Sequence, residues 1–213
     1  MKNLIKFLTE IGKLKEVKRK GWKLRGVKNP ETIAAHSFRM AIMAWLLANQ
    51  KKLDVNRVIK TALIHDLCEV YAGDTTPYDK LLSKNKKEIR EIFNKWPRFP
   101  QKQKKKNFSE KYKKESKALR KLTQNIPPLI QKEIRLLWED YERGSTPEGR
   151  FVRQVDRLEN LLQALEYSKR GEKFSIEPWW IQIEELIDIP ILIEFMKALE
   201  KEFPSPEKEG VRK

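Results

Sequence analysis

Apolar residues recur along this chain at three- and four-residue intervals, and no stretch alternates apolar with polar positions over the length of a strand. The pattern predicts an all-α fold. A first helix spans Leu4 to Lys15, followed by a loop punctuated by Gly21, Gly26 and Pro30. A second begins near Thr32 and runs to about Lys51, with Ile33, Phe38, Ile42, Trp45 and Leu46 as its expected buried face. The third opens behind Asp54, whose carboxylate suits a helix N-cap, carries Val58, Ala62, Ile64 and His65, and stops at Gly73. A polar loop containing Pro77 leads on to Asp79.

Two basic helices are expected from Lys80 to Lys95 and from Ser109 to Gln124, joined by a mobile loop over the Pro- and Lys-rich stretch from Trp96 to Asn107. Pro127 and Pro128 open a helix that ends by Gly144, and Thr146 followed by Pro147 and Glu148 opens another that reaches Arg170. Beyond Pro178, a face of Trp179, Trp180, Ile183, Leu186 and Ile187 and the run from Ile191 to Phe203 close the core, with a frayed tail from Pro204. A length of 213 residues suits one domain, here 1–213 with a basic insertion at about 80–121.

Charge alters this picture locally. Of a net charge of +16, the stretch from Lys80 to Lys121 supplies 13, with 17 basic against 4 acidic residues. Such a segment admits nucleic acid or an anionic small molecule as a partner, although a lysine run is more often a solvated face. No run approaches the roughly 18 to 20 apolar residues of a membrane span, and the N-terminus lacks an apolar signal core. One cysteine, Cys68, makes an internal disulfide impossible and fits a reducing compartment, so the expected location is cytoplasmic.

Only two histidines are present. His65 is followed directly by Asp66, with Glu69 four residues on and so on the same helical face as His65. Neutral imidazole beside carboxylate suits a divalent first-row metal. His36, set among Ala34, Ala35 and Ser37, and Asp156, beside an apolar stripe of Phe151, Val155, Leu158, Leu162 and Leu165, are the candidates to complete such a site from other helices. Two imidazoles and two carboxylates leave positions open for water and a phosphoryl oxygen, and they admit Mn, Co, Mg, Fe, Ni or Zn.

Three segments in this order, NPETIAAHSFRM from Asn29, ALIHDLCEVYAGDTTP from Ala62 and TPEGRFVRQVDRLENLLQALEY from Thr146, resemble the HD-domain superfamily. More narrowly they are similar to its branch of 5'-deoxynucleotidases. The resemblance implies an HD-domain helical bundle that holds one divalent metal through His36, His65, Asp66 and Asp156, acts on a nucleotide and forms a homodimer. It implies that Glu69 and Asp74 handle protons, and it matches Gly21, Trp22 and Arg25 to a Gly-Trp and following Arg ahead of the first His. An Arg there suits phosphate and a Trp suits a base. The chain departs from the family in carrying Ala35 where an acidic residue usually precedes the first His, which puts a hydrogen bond behind the metal in doubt. The implied reaction is release of phosphate from (deoxy)nucleoside 5'-monophosphates. The alternatives are a cyclic nucleotide or nucleoside triphosphate as substrate, or nucleic-acid binding through the basic segment.

Overall fold

A computed structural model describes residues 1–49, 52–76, 79, 85, 88–89, 91–92 and 98–203. Most of the helix expected from Lys80 to Lys95 and the tail from Pro204 lie outside them. Helices account for the secondary structure among the described residues: α1 (Lys2–Gly12), α2 (Lys20–Arg25), α3 (Ile33–Ala48), α4 (Val55–Ile64), α5 (Glu69–Ala72), α6 (Gln101–Thr123), α7 (Pro128–Arg143), α8 (Pro147–Lys169), α9 (Glu177–Leu186) and α10 (Pro190–Glu202). None of them is long and apolar enough to cross a membrane.

The helix starts follow local chemistry. Thr32, Asp54 and Thr146 each turn a side-chain oxygen onto a backbone N–H of the first turn, at Ala35, Arg57 and Gly149. The start of α8 is also clamped from α7: Asp140 accepts from Thr146 N at 2.9 Å and from Arg57 Nη2 at 2.8 Å. Gly149 is required there, since a Cβ would stand 2.5 Å from Asp140 Oδ1.

α8 is the axis of the bundle. It packs against α3, α4, α7, α9 and α10; Phe151, Val155, Leu158, Leu161 and Leu165 form one buried stripe, and Gly149, Val152, Gln163, Ala164 and Tyr167 are buried on its other sides. A second apolar cluster joins α5, α6 and α7 through Cys68, Leu119, Leu122, Ile134 and Trp138. An antiparallel bridge between Lys18 and Thr32 lays the segment before α2 alongside the start of α3.

Four sequence expectations change. α6 begins at Gln101, so residues 101–107 are helix rather than loop: Pro100 precedes the helix, and the Lys and Gln residues after it favour helix. α2 occupies the expected loop around Gly21. The helix opened by Asp54 breaks at Ile64, where bonds from Leu67 N to Ile64 O and from Glu69 N to Asp66 O tighten the backbone into i,i+3 turns before α5. Finally, α3 buries Ile33, Met40, Ala44 and Leu47, while Phe38, Ile42, Trp45 and Leu46 face outward.

α6 contributes a buried ionic cluster. Lys111 Nζ lies 2.7 Å from Glu115 and 2.9 Å from Glu142 of α7. Burial, opposed by Lys111 and reinforced by Glu142, pushes Glu115 up to about 7. A carboxyl raised on folding contributes stability that is full below the ordinary value of 4.5 and is lost as pH climbs through about 7. The melting temperature of the wild type relative to Glu115→Gln should therefore fall between pH 4.5 and 8. A pH-independent difference would show that Glu115 stays ionised.

Candidate metal centre

α3, α8 and the turn between α4 and α5 converge on one point. His36 stands one turn into α3, Asp156 in the first half of α8, and His65 and Asp66 in the tight turn after α4. The ligand-capable atoms of His36, His65 and Asp156 all lie within 4.8 Å of one another. His36 Nε2 is 3.1 Å from Asp156 Oδ1, and His65 Nε2 is 3.0 Å from Asp66 Oδ2. The i,i+3 turn has a direct effect here, because it brings the side chains of the neighbours His65 and Asp66 onto the same point.

Each imidazole is held by its far nitrogen. His36 Nδ1 bonds to the fully buried carboxylate of Glu159, and His65 Nδ1 donates to the carbonyl of Ala62 at 2.7 Å. An ionised carboxylate and a carbonyl can only accept, so each Nδ1 carries its hydrogen and each Nε2 points into the site. Both Nε2 atoms are buried without a hydrogen-bond partner. A polar atom left so costs about 1–3 kcal/mol, and a cation between the two nitrogens and the carboxylates removes that cost. The donor set fits a divalent metal.

The electrostatics agree with this fit. Burial and Arg19 push His36 down, yet Glu159 and Asp156 raise it to about 9, so the site's field favours positive charge at Nε2. Burial raises Asp66, but His65, Arg19 and His36 outweigh it and hold the carboxyl well below the usual range. Asp156 is likewise held low against burial by His36, His65 and Arg19. Tyr141 Oη donates to Asp156 Oδ2 at 2.9 Å, and Asn160 Nδ2 to Oδ1 at 3.0 Å, which fixes the carboxylate plane.

Glu69 and Asp74 differ from these. Burial first, then Asp66 and Asp74, push Glu69 well above the carboxylate range, and its Oε2 is buried without a partner. Burial also raises Asp74, opposed by Arg19 and by the amide of Lys20, which donates to Asp74 Oδ2 at 2.6 Å.

Arg19 is the cation beside these carboxylates. Its Nη1 is 3.6 Å from Asp66 Oδ2, its Nη2 donates to Asn160 Oδ1 at 2.9 Å, and its Nε is 3.8 Å from Glu31. The residues expected to hold substrate are placed otherwise. Trp22 is 2% exposed, stacked on Trp179 with centroids 5.3 Å apart, and donates Nε1 to Glu31, so its ring serves the core rather than a nucleobase. Arg25 lies with its guanidinium 4.0 Å over Trp179 and donates to the carbonyl of Gly21. Arg19 was hidden in the run Lys18 to Lys20, where it reads as one more surface cation. Glu159 had a signal: it lies three residues from Asp156, on the same face of the helix and beside the apolar stripe. It also answers the departure at Ala35, which is exposed: the carboxylate behind His36 comes from α8.

Comparison with known proteins agrees with this geometry. The HD domain family matches residues 11–95 and 99–183, and the chain belongs to that family. A Bos taurus protein named 5'-deoxynucleotidase HDDC2 is 34% identical over 202 residues, 94% of this chain and 86% of its own. In Schizosaccharomyces pombe, 5'-deoxynucleotidase hdd1 is 33% identical over 184 residues, 84% and 80% of the two chains. Among solved structures, a conserved hypothetical protein from Pyrococcus furiosus superposes with a TM-score of 0.66 at 29% identity, covering 92% of this chain and 99% of its own. A predicted metal-dependent phosphohydrolase from Magnetospirillum magnetotacticum gives 0.63 at 27% identity, covering 94% and 93%.

Glu159→Gln should weaken divalent-metal affinity by about 10- to 100-fold while the helical circular-dichroism signal stays unchanged. Competition with a chromophoric chelator measures it. An unaltered affinity would mean that packing alone orients His36.

Proposed function

We propose that this chain is a divalent-metal-dependent phosphohydrolase that releases phosphate from nucleoside 5'-monophosphates, with deoxynucleotides preferred. The observation that carries this reading is the pair of buried imidazole Nε2 atoms without hydrogen-bond partners, aimed at Asp66 and Asp156 with Arg19 beside them. His36, His65, Asp66 and Asp156 hold the metal, drawn from Mn, Co, Mg, Fe, Ni and Zn. When bound, such an ion polarises a phosphoryl oxygen and acidifies water. The deoxynucleotide preference rests on the named activity of the relatives. The chain works in the cytoplasm as a homodimer, a reading supported by its single, buried cysteine and by the resemblance to the family.

The chain's own residues do the remaining work. The Arg19 guanidinium neutralises the phosphate and orients it, since its planar donors match phosphoryl oxygens. Glu69, raised by burial and by two neighbouring carboxylates, holds a proton at Oε2 and gives it to the leaving 5' oxygen of the sugar. Asp74, fixed by the Lys20 amide, assists proton transfer beside Glu69.

Phosphate release across a panel of monophosphates, triphosphates and cyclic nucleotides, each with several metals, tests the substrate class. The monophosphates should be turned over fastest; preference for cyclic or triphosphate substrates under every metal would move the protein to another HD activity. Asp66→Ala should lose both metal and turnover, as elemental analysis and phosphate release would show. Glu69→Gln should keep its metal and lose roughly 100- to 10,000-fold in turnover. Unchanged turnover in that variant would reduce Glu69 to a structural residue.

A further inference from the structure

α1 is more apolar than the core beneath it requires. Its inner side sets Phe7 and Ile11, half-buried, against the cluster that joins α5, α6 and α7, and none of its eleven residues is fully buried. Leu4, Ile5 and Leu8 follow one another at helical spacing on an outward face and are 43%, 64% and 56% exposed. Cations stand beside them. Exposed Lys2, Lys6 and Lys13 run along the adjoining flank, and an open groove lined by Ile5 and Leu8 is bordered by Lys13 and Lys15. Lys13 is paired with Glu10 at 2.6 Å, whereas Lys2, Lys6 and Lys15 meet no carboxylate among the described residues. We propose that this face of α1 is a peripheral docking site for an anionic lipid bilayer: the helix lies in the bilayer surface, with its three aliphatic side chains among the acyl chains and its lysines at the headgroups.

Charge and apolarity together identify the occupant. Helices that lie in a membrane surface carry aliphatic residues on one face and lysines beside them. α6 packs next to α1 and adds a second basic row. Its exposed Lys102, Lys106, Lys113, Lys117 and Arg120 fall within about 60° of one another at 100° per residue and span roughly 27 Å, with Glu110 as the exposed acid of that helix. The end of α6 is seated on the lysine flank of α1: Lys121 Nζ lies 4.3 Å over the ring of Tyr71, whose hydroxyl shares a hydrogen bond with Glu10. A nucleic acid answers the charge but has no place for Leu4, Ile5 and Leu8, because bases stack on aromatic rings and this face has none. A second copy packed through the same face sets lysine row against lysine row in a chain that carries +16. An anionic bilayer offers an apolar interior behind a negative surface and so answers both features.

The face is formed before any lipid meets it. A helix of eleven residues is marginal by itself in water, and here Phe7, Ile11 and the bond between Glu10 and Tyr71 hold it to the body of the protein. Docking then costs little further ordering. No residue of the metal centre lies on α1, so the inference stands apart from the phosphohydrolase reading.

Sedimentation with lipid vesicles tests the face on the full chain. Vesicles that are half phosphatidylglycerol should carry the protein down, vesicles of phosphatidylcholine alone should leave it in solution, and the affinity should fall as salt rises. Ile5→Glu and Leu8→Glu, each with unchanged far-UV circular dichroism, should bind at least ~10-fold more weakly, and Lys2→Gln and Lys6→Gln about 5-fold more weakly each. Leu129→Glu, on an exposed position of α7, should bind as the wild type does. Hydroxyl-radical footprinting of the wild type needs no variant to fold: on the anionic vesicles Leu4, Ile5 and Leu8 should lose reactivity while Leu129 keeps it. Failure to bind anionic vesicles, or equal binding to neutral ones, overturns the proposal. Binding that leaves Leu4, Ile5 and Leu8 reactive is adsorption through the charge of α6 and overturns the face on α1. Protection of the same residues without lipid, whether by a second copy at higher protein concentration or by an added oligonucleotide, gives the face to another partner and overturns it equally.

Discussion

A glutamate with no solvent exposure sits inside the central helix, and the arrangement of its neighbours follows from making that charge tolerable. An ionised carboxylate taken out of water costs several kcal/mol unless it is paired and hydrogen-bonded. Glu159 meets this requirement through two residues of a single helix, His36 and Arg39, one turn apart on α3. Arg39 continues the fork to Gln163 and Glu166, so α3 and α8 are locked in axial register by one guanidinium. With the register set, His36 has one orientation left, and its Nε2 faces Asp156. Side-chain support and metal geometry are one structure seen from two ends.

The frame was legible in the sequence where local chemistry decides it. Thr32, Asp54 and Thr146 announced three helix starts, and the 3.6-residue pattern located α3, α7 and α8. Two choices depend on the whole fold. α3 is apolar nearly all round, so periodicity alone does not say which side is inside; the bundle buries the side holding Ala44, Ala48 and His36, where small residues let α4 and α8 approach. The lysines after Pro100 read as a loop because they lack an apolar face over two turns, yet helix propensity and the packing of Leu119 and Leu122 extend the helix back to Gln101. The site divides in the same way. His36, His65 and Asp156 stood out because histidine is scarce, and the structure brings them together. Arg19 and Glu31 did not, because a chain that is 36% charged holds many such residues, and what distinguishes these two is their contacts in the fold, with Asp66 and Asn160 for Arg19 and with Trp22 for Glu31. Trp22 shows the converse: a motif position whose place in the fold is the core.

The site's own charge sets an order of events. Glu31, Asp66, Asp74, Asp156 and Glu159 lie around His36 and His65, against the guanidinium groups of Arg19 and Arg39. A phosphate approaching this cluster alone meets net repulsion, whereas a divalent cation is drawn in. Cation first and anion second is the sequence that such a field favours, and Arg19 supplies the attraction for the second step.

The long span between α3 and α8 has a consequence for how the molecule comes into being. His36 and Glu159 are separated by 123 positions, whereas α3 with α4 and α7 with α8 are neighbours joined by short connections. Local hairpins close early at small entropic cost, and a contact across most of the chain closes late. The histidine of the first hairpin and the aspartate of the second therefore meet only as the two halves dock. Until then the chain contains every residue of the centre and no centre, so during synthesis a ribosome-bound fragment lacking α8 has no competent place for an ion to lodge.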